Sequence, residues 1–397
     1  MRNAWVILAL TLLGGCAWGA GTLPQAFADV GQRDAVLQSS SVWSVVKSPD
    51  LPPGYDGLAS DILRGVSGTG ANDVWVVGTN CCYKYGSKAY DEPIIEHWDG
   101  TKWKLVPSAS NEPPGTQLYA VTAIAPDDAW AVGYASQPVF EHWDGKKWNL
   151  VSSPYIYDGG EMLSVVAISK NNVWAGGEGN FAAVLEHWDG KSWSFIPAYN
   201  DGLTFLNAMS ASGANDIWAV GEYWGYPDQH SFSEHWNGTA WSFEQAKGVY
   251  LDQLNGVADV TPSDAWAVGY QVPTQQEEIP QTLIEHWNGA SWSIVASPDK
   301  NPASGPVTNQ LNAVYAISAN DIWAVGVWES RSLFVHYNGK KWRVVPGPAA
   351  LESKDNSTVS MLFGLTRLSS GQLWAVGYKS IPQHCCQNTL AVEGNPH

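Results

Sequence analysis

Basic residues are scarce in this chain. Lysine and arginine number 21 against 38 aspartates and glutamates, which leaves a net charge of −17. Non-specific nucleic-acid binding needs a basic surface that displaces counterions, so that class of partner is excluded. An anionic membrane surface would repel the chain for the same reason. Long apolar runs are equally rare. Trp5–Leu13 is the main one, and it is too short to span a bilayer. No GxSxG elbow, P-loop, HExxH pair or GxGxxG turn stands in a usable context, so no cofactor or resident metal is implied. Cysteine occurs only five times.

Tryptophan, in contrast, is abundant, with 23 copies, and its placement is regular. The stretch Ile284–Trp292 (IEHWNGASW) recurs in near-copies at Ile95–Trp103, Phe140–Trp148, Leu185–Trp193, Ser233–Trp241 and, more loosely, Phe334–Trp342. Each reads as a β-hairpin: an apolar strand, an Asp-Gly or Asn-Gly turn, and a strand entered through Trp. Asn-Gly and Asp-Gly suit a type I′ turn, whose two central residues both need φ > 0. Two further strands precede each hairpin, as in Leu311–Ile317 and Asp321–Gly326. The second strand carries a Trp at 75, 130, 174, 218, 266, 323 and 374, with a Gly three residues on each time. A period of roughly 50 residues is that of a four-stranded propeller blade. Continuous apolar residues suit a strand covered on both faces, and the Gly suits a point where the backbone turns or approaches a neighbour closely.

Counting the parts predicts how the chain closes. The second-strand Trp occurs seven times, and so does the fourth-strand Trp, at 43, 103, 148, 193, 241, 292 and 342. Trp43 has no third strand before it, and the last repeat (Val359 to Glu393) has no fourth strand after it. The orphan strand at Trp43 therefore completes the last repeat. A ring needs this and an open stack does not, because closure removes exposed sheet edges. The expectation is all-β: one seven-bladed β-propeller of four-stranded blades over residues 41–397, monomeric.

A Gly after an apolar strand, an aromatic-plus-turn, and a Trp a few residues later together resemble the kelch motif. The repeat is also similar to the tryptophan-rich propeller repeats of secreted bacterial proteins, and the resemblance implies a scaffold of the galactose-oxidase type. One Gly stands where kelch has two. The Asp-Gly turn before Trp103 resembles the Asp-box of sialidases in position but is one residue shorter.

Residues 1–28 read as an export signal, with Arg2 ahead of the short apolar run. Leu13-Gly14-Gly15-Cys16 resembles a bacterial lipobox, which implies lipidation at Cys16; cleavage after Gly19 or Ala28 is the rival. Residues 29–40 read as a tether. The expected location is extracytoplasmic, secreted or anchored at the cell envelope through that lipid.

Repeated residues are scaffold before they are sites. His97, His142, His187, His235, His286 and His336 share one repeat position, and Glu96, Glu141, Glu186, Glu234 and Glu285 precede five of them. One His per repeat reads as a hydrogen-bonding core residue rather than a metal ligand. Equivalent Glu copies lack the two unlike environments of a catalytic pair. What remains lies in the variable connections between strands two and three and between repeats, which emerge on one face. Binding residues concentrate in such loops. The candidates are Tyr83, Tyr85, Tyr134, Tyr157, Tyr223, Trp224, Tyr226 and Trp328, with Phe181 and the acids Glu178 and Glu222 nearby. Aromatic platforms with acidic acceptors suit a glycan or a protein partner. The expected function is a non-enzymatic binding propeller. A carbohydrate-active hydrolase or lyase at the channel mouth is the alternative, and unlike buried carboxylates around His230 would point to it. Asn200-Asp201-Gly202 could offer oxygens to calcium but is explained by turn chemistry.

Cys81-Cys82 and Cys385-Cys386 fall in the same connection of the first and last repeats, which become neighbours on closure. In an exported protein such pairs read as disulfides. Bridges between the two blades, bridges between adjacent cysteines, and a thiolate metal site with His384 remain the alternatives.

Overall fold

The computed structural model describes residues 42–51, 59–82, 91–154, 160–198, 203–224, 229–249, 251–272, 274, 280–298, 309–351, 359–380 and 387–395. Among them every regular element is a strand except one 3-10 turn, Ala349–Leu351. The strands begin with the short β1 (Trp43–Val46). Unit one follows: β2 (Ala59–Gly70), β3 (Asp73–Cys82), β4 (Asp91–Trp98) and β5 (Trp103–Leu105). Unit two is β6 (Gln117–Ala125), β7 (Asp128–Tyr134), β8 (Pro138–Trp143) and β9 (Trp148–Leu150). Unit three is β10 (Glu161–Ser169), β11 (Asn172–Gly179), β12 (Ala182–Trp188) and β13 (Trp193–Ile196). Unit four is β14 (Leu203–Gly213), β15 (Asp216–Trp224), β16 (Gln229–Trp236) and β17 (Trp241–Phe243). Unit five is β18 (Leu251–Thr261), β19 (Asp264–Val272), β20 (Gln281–Trp287) and β21 (Trp292–Ile294). Unit six is β22 (Asn309–Ser318), β23 (Asp321–Trp328), β24 (Arg331–Tyr337) and β25 (Trp342–Val344). The last strands are β26 (Val359–Arg367), β27 (Leu373–Ser380) and β28 (Gln387–Gly394).

Units two to six are separate four-stranded sheets, each paired in chain order. Unit one and the last strands share an eight-stranded sheet. Within it β1 pairs antiparallel with β28, Trp43 opposite Gly394 and Val46 opposite Ala391. The N-terminal strand therefore stands where a fourth strand stands elsewhere. A single parallel bridge, Ser60 to Gln387, joins β28 to β2.

The repeated residues explain the repeated geometry. Each first strand carries a bulge, at Arg64 in unit one and Tyr119 in unit two. Opposite it stands the glycine of the second strand. A Cβ on Gly78, Gly133, Gly177, Gly221, Gly269, Gly326 or Gly377 would lie 1.8–2.1 Å from a first-strand carbonyl oxygen. The glycine is there for close approach. The second-strand Trp buries against the outer Trp residues of the next unit: Trp75 on Trp148 (ring centroids 5.2 Å), Trp130 on Trp193 (5.2 Å) and Trp218 on Trp292 (5.0 Å). The same contact links Trp323 to Trp43 and Trp374 to Trp103. Edge-on aromatic pairs add to burial the attraction between ring edge and ring face.

The repeated histidines stack on those Trp rings and bond to the residue that opens the second strand. His97 Nε2 lies 2.7 Å from Asp73, His142 2.9 Å from Asp128 and His235 2.6 Å from Asp216. They are half-buried, hydrogen-bonded scaffold residues rather than members of the fully buried core. The repeated glutamates are fully buried and catch the segment leaving the preceding unit: Ala109 N–H donates to Glu141, Ser153 Oγ to Glu186 and Lys247 N–H to Glu285. Ser48, just after β1, does the same to Glu96.

One expectation is corrected. The Asp-Gly and Asn-Gly pairs do not form two-residue type I′ turns. Only the glycine has positive φ, for example +89° at Gly100. The Asp or Asn instead closes a four-residue loop, its side chain accepting from the two backbone N–H groups that follow the glycine, as Asp99 does from Thr101 and Lys102. The two-residue hairpins with positive φ at both centres are elsewhere, at Asn180-Phe181 and Glu329-Ser330.

Candidate binding face

The two ends of the strands differ. At one end the loops repeat. At the other, second strands run into third strands and each unit hands over to the next, and there the residues vary. Tyr134, Tyr223, Trp224 and Trp328 all sit at this variable end, where the second strands finish. Tyr223 is half-buried, with its ring 5.5 Å from that of His230. Tyr134 is half-buried opposite Gln117. Trp328 is half-buried against the cluster around Val314 and Leu333, so its ring serves packing. Trp224 is the exposed one. Tyr83, Tyr85, Tyr157 and Tyr226 lie outside the described residues, as do Cys16, Cys385 and Cys386. Cys81 and Cys82 end β3, opposite Ser60 and Ala59, and their side chains lie outside the description.

Large apolar side chains exposed at this end gather on units three to five. Phe181 is 68% exposed, Val249 46%, Leu203 43% and Trp224 37%. Leu203 and Trp224 are directly opposed on the ladder between β14 and β15. Thr204 N–H donates to Phe181 O, which sets the Phe181 turn beside Leu203. The other exposed apolar residues, Leu105, Phe195, Ile294 and Val344, stand on fourth strands at one repeat position and belong to the scaffold pattern. Phe181 also has φ +62°. A bulky residue in the left-handed region is strained, and such strain gathers at working sites.

Next to this patch is a cavity of about 180 Å³ lined by Tyr223, His230, Ser231, Gln245, Ala246, Gly248, Val249 and Asp252. Asp252 is fully buried. Its Oδ2 accepts from Ser231 N–H at 2.8 Å. Its Oδ1 is buried and accepts no hydrogen bond; His230 Nδ1 lies 3.7 Å away, beyond hydrogen-bonding range. Burial raises the Asp252 pKa, against the bonds from Ser231 and the nearby His230. Further acids border the site. Burial pushes Glu222 up to about 7, helped by the charges of Glu178 and Asp252 and opposed by its bond with Trp224. Burial pushes Glu178 up to about 7 as well, with Glu161 beside it. Gln229 donates to Glu222 through its amide. Among the described residues no group of three His, Cys, Asp or Glu side chains is placed to hold a metal ion.

Sequence reasoning named Trp224 and Tyr223 but missed Asp252, Leu203 and Val249. The signal for Asp252 was available. The position two residues before the buried Leu or Met of each first strand reads Asp61, Thr116, Gly160, Thr204, Asp252, Asn309 and Ser360. Only units one and five place an acid there. Phe181 was legible as a Phe where an Asn-Gly turn would have Gly.

No protein-family model and no curated protein matches this sequence. Solved structures match its fold. "YCF48 bound to D1 peptide" aligns with TM-score 0.58 and 14% identity over 90% of this chain and 98% of that one. "YCF48 from Cyanidioschyzon merolae" gives 0.56 and 13% over 89% and 98%. "Structure of U3-55K" gives 0.55 and 9% over 86% and 99%. These neighbours are WD40-like β-propellers, so a repeated four-stranded propeller-type fold is shared. The likeness extends to propellers in general and does not single out the kelch family.

Proposed function

We propose that this chain is an exported, non-enzymatic propeller that binds a protein segment on its variable-loop face, at Phe181, Leu203 and Trp224. The observation that carries the reading is the contiguous exposed apolar patch on units three to five, built partly at a strained turn. Exposed apolar surface rimmed by polar groups marks interaction sites. The mixed aliphatic and aromatic character favours a protein segment over a glycan. One propeller of the same fold is described with a bound peptide, which makes this use of the scaffold physically ordinary.

The reading includes a ring of seven blades. Three facts support closure. β1 supplies the fourth strand beside β28. The Trp374–Trp103 contact repeats the contact made between other neighbouring units. Arg64 lies over both Tyr119 and Phe363, on the first strands of the units either side of it. Export through residues 1–28, a lipid on Cys16 and disulfides between the cysteine pairs of the first and last blades complete the proposal. The bridge from Ser60 to Gln387, the residue after Cys386, supports that last point.

The Asp252–His230 pair is the one observation that favours hydrolysis. A glycosidase needs two carboxyl groups open to the substrate across a defined gap. Here Asp252 is engaged by Ser231 and Glu222 by Gln229, so binding is the better account. The test is a pull-down from envelope extract with residues 29–397, followed by mass spectrometry of whatever is retained. The reading expects an intact protein, lost with Trp224→Ala. A shortened glycan or peptide would replace it with an enzyme.

A further inference from the structure

At the repeat position of Asp252, two residues leave a buried side-chain oxygen without a hydrogen bond, Asn309 and Asp252, and of these Asp252 is the carboxylate. In unit four, Thr204 Oγ1 accepts from Ala183 N–H at 2.9 Å. On β26, Ser360 Oγ accepts from Ser332 N–H at 3.0 Å. Asp252 stands at the same repeat position and does the same work with Oδ2, for Ser231 N–H. A hydroxyl is therefore enough to hold this blade-to-blade contact. Asp252 brings a second oxygen that is buried and without a hydrogen bond, with His230 Nδ1 3.7 Å away. The scaffold residues Glu141, Glu186 and Glu285 each leave one oxygen in the same state, but Asp252 also lines a cavity. A buried carboxylate oxygen without a partner costs free energy, so its retention points to a group that arrives from outside.

The cavity describes that group. Its volume, about 180 Å³, is roughly six times the share of one water in the liquid. That is the scale of a single lysine or arginine side chain. Tyr223, Ala246, Gly248 and Val249 offer carbon surface to a methylene stem among the polar groups of His230, Ser231 and Gln245, with Asp252 in position to receive the charged head. The surroundings are acidic: the charge of Asp252 helps raise the pKa of both Glu222 and Glu285. Val249 belongs both to the cavity wall and to the exposed apolar residues of this face. We infer that the cavity between units four and five takes a basic side chain of the partner segment, whose apolar neighbours cover Trp224, Leu203 and Phe181. This rests on the proposed protein-binding face and specifies its partner: an apolar segment with a lysine or arginine set in it.

The test is an addressed array of acetylated pentapeptides with mixed apolar flanks and Arg, Lys, citrulline, Glu or Leu at the centre, probed with residues 29–397. The expected result is retention on Arg- and Lys-centred peptides, at least about tenfold above citrulline, the scale of one hydrogen bond to a charged group. Asp252→Thr keeps the scaffold bond as Thr204 does, and it should abolish that preference while leaving the unfolding midpoint near that of the parent. Val249→Arg, at an exposed position, should also abolish it by placing the chain's own guanidinium at the cavity. Retention that ignores the central residue but falls with Trp224→Ala would overturn the inference and leave the binding face standing. Retention unaffected by Trp224→Ala, or no retention of any class, would overturn both.

Discussion

The two ends of the same strands follow different rules. At the repeating end, one solution recurs: a Trp indole N–H donates to a backbone carbonyl, as Trp98 does to Ala71, Trp143 to Pro126 and Trp236 to Ala214, and an Asp or Asn closes each loop. At the variable end, one position carries Asp61, Thr204, Asp252 and Ser360 in different units, and they are not all satisfied alike. Asp61 accepts from Asn80 and from Leu51 N–H, whereas Thr204 and Ser360 use a single hydroxyl. Uniformity marks what the repeated scaffold needs. Variation beyond that need is where the proposed partner site lies. Substitutions at the repeating end should therefore cost stability everywhere alike, and those at the variable end should separate stability from binding.

The largest effects should come from the repeated core. Trp130→Ala removes a fully buried ring that touches Trp188 and Trp193 of the next unit. It should lower unfolding free energy by about 3–5 kcal/mol, read by denaturant titration. Gly133→Ala places a Cβ 1.9 Å from Gln117 O and should be at least as severe. Trp224→Ala, exposed on the other end, should cost under about 1 kcal/mol while abolishing capture of the partner. A Trp224→Ala protein as unstable as Trp130→Ala would erase the distinction between the ends.

The seam comes next. The proposed bridges between Cys81-Cys82 and Cys385-Cys386 would close most of the chain into a loop and contribute roughly 2–4 kcal/mol. Non-reducing peptide mapping should recover a fragment containing Cys81 or Cys82 joined to one containing Cys385 or Cys386. Two fragments each bridged within itself would remove the covalent lock from the seam and leave closure to β1 alone.

Much of this architecture was legible because repetition averages out local ambiguity. Seven Trp and seven Gly at fixed offsets identify the second strand more firmly than any one copy could. The surplus strand at Trp43 anticipated its pairing with β28. The turn type was misread because Asn-Gly is a hairpin signal for two-residue loops, and here Trp98 and Trp103 are themselves the last pair of the ladder, leaving four residues between them. The site was half legible. Trp224 stood out as a Trp outside the repeat, yet Trp328 stood out equally and is packed. Whether such a ring is covered depends on the neighbouring unit, which no local pattern encodes. Asp252 was hidden because its role appears only when equivalent positions are compared for their hydrogen bonds.

The buried glutamates give the repeating plan a pH signature. Burial pushes Glu96 and Glu141 up to about 8 and Glu186 and Glu285 up to about 7, from an unfolded value of roughly 4.3. The folded chain thus binds more protons than the unfolded chain between those values. Their contribution is fully present below about pH 4.3 and is lost as pH rises through 7 to 8. The thermal midpoint should fall from pH 5 to pH 8. Unit six buries Val335 where unit five buries Glu285, so Glu285→Gln, which cannot ionise, should flatten part of that slope. A midpoint that rises over the same range would mean that these carboxyl groups are ionised in the fold.

The smallest effect is the most discriminating. Phe181 holds φ +62° after Asn180 at +52°, and Phe181→Gly would create the Asn-Gly pair that such a turn favours. Relief of left-handed strain is worth about 1–2 kcal/mol, and the added freedom of glycine in the unfolded chain returns part of it. The net should be a gain of roughly 0.5–1 kcal/mol, seen as a raised denaturation midpoint. Binding should weaken at the same time, because the exposed ring is gone. A change that stabilises the fold and weakens capture is the mark of a residue kept for a partner. If Phe181→Gly weakened both, the ring would be holding its own turn in place, and the patch would shrink to Leu203 and Trp224.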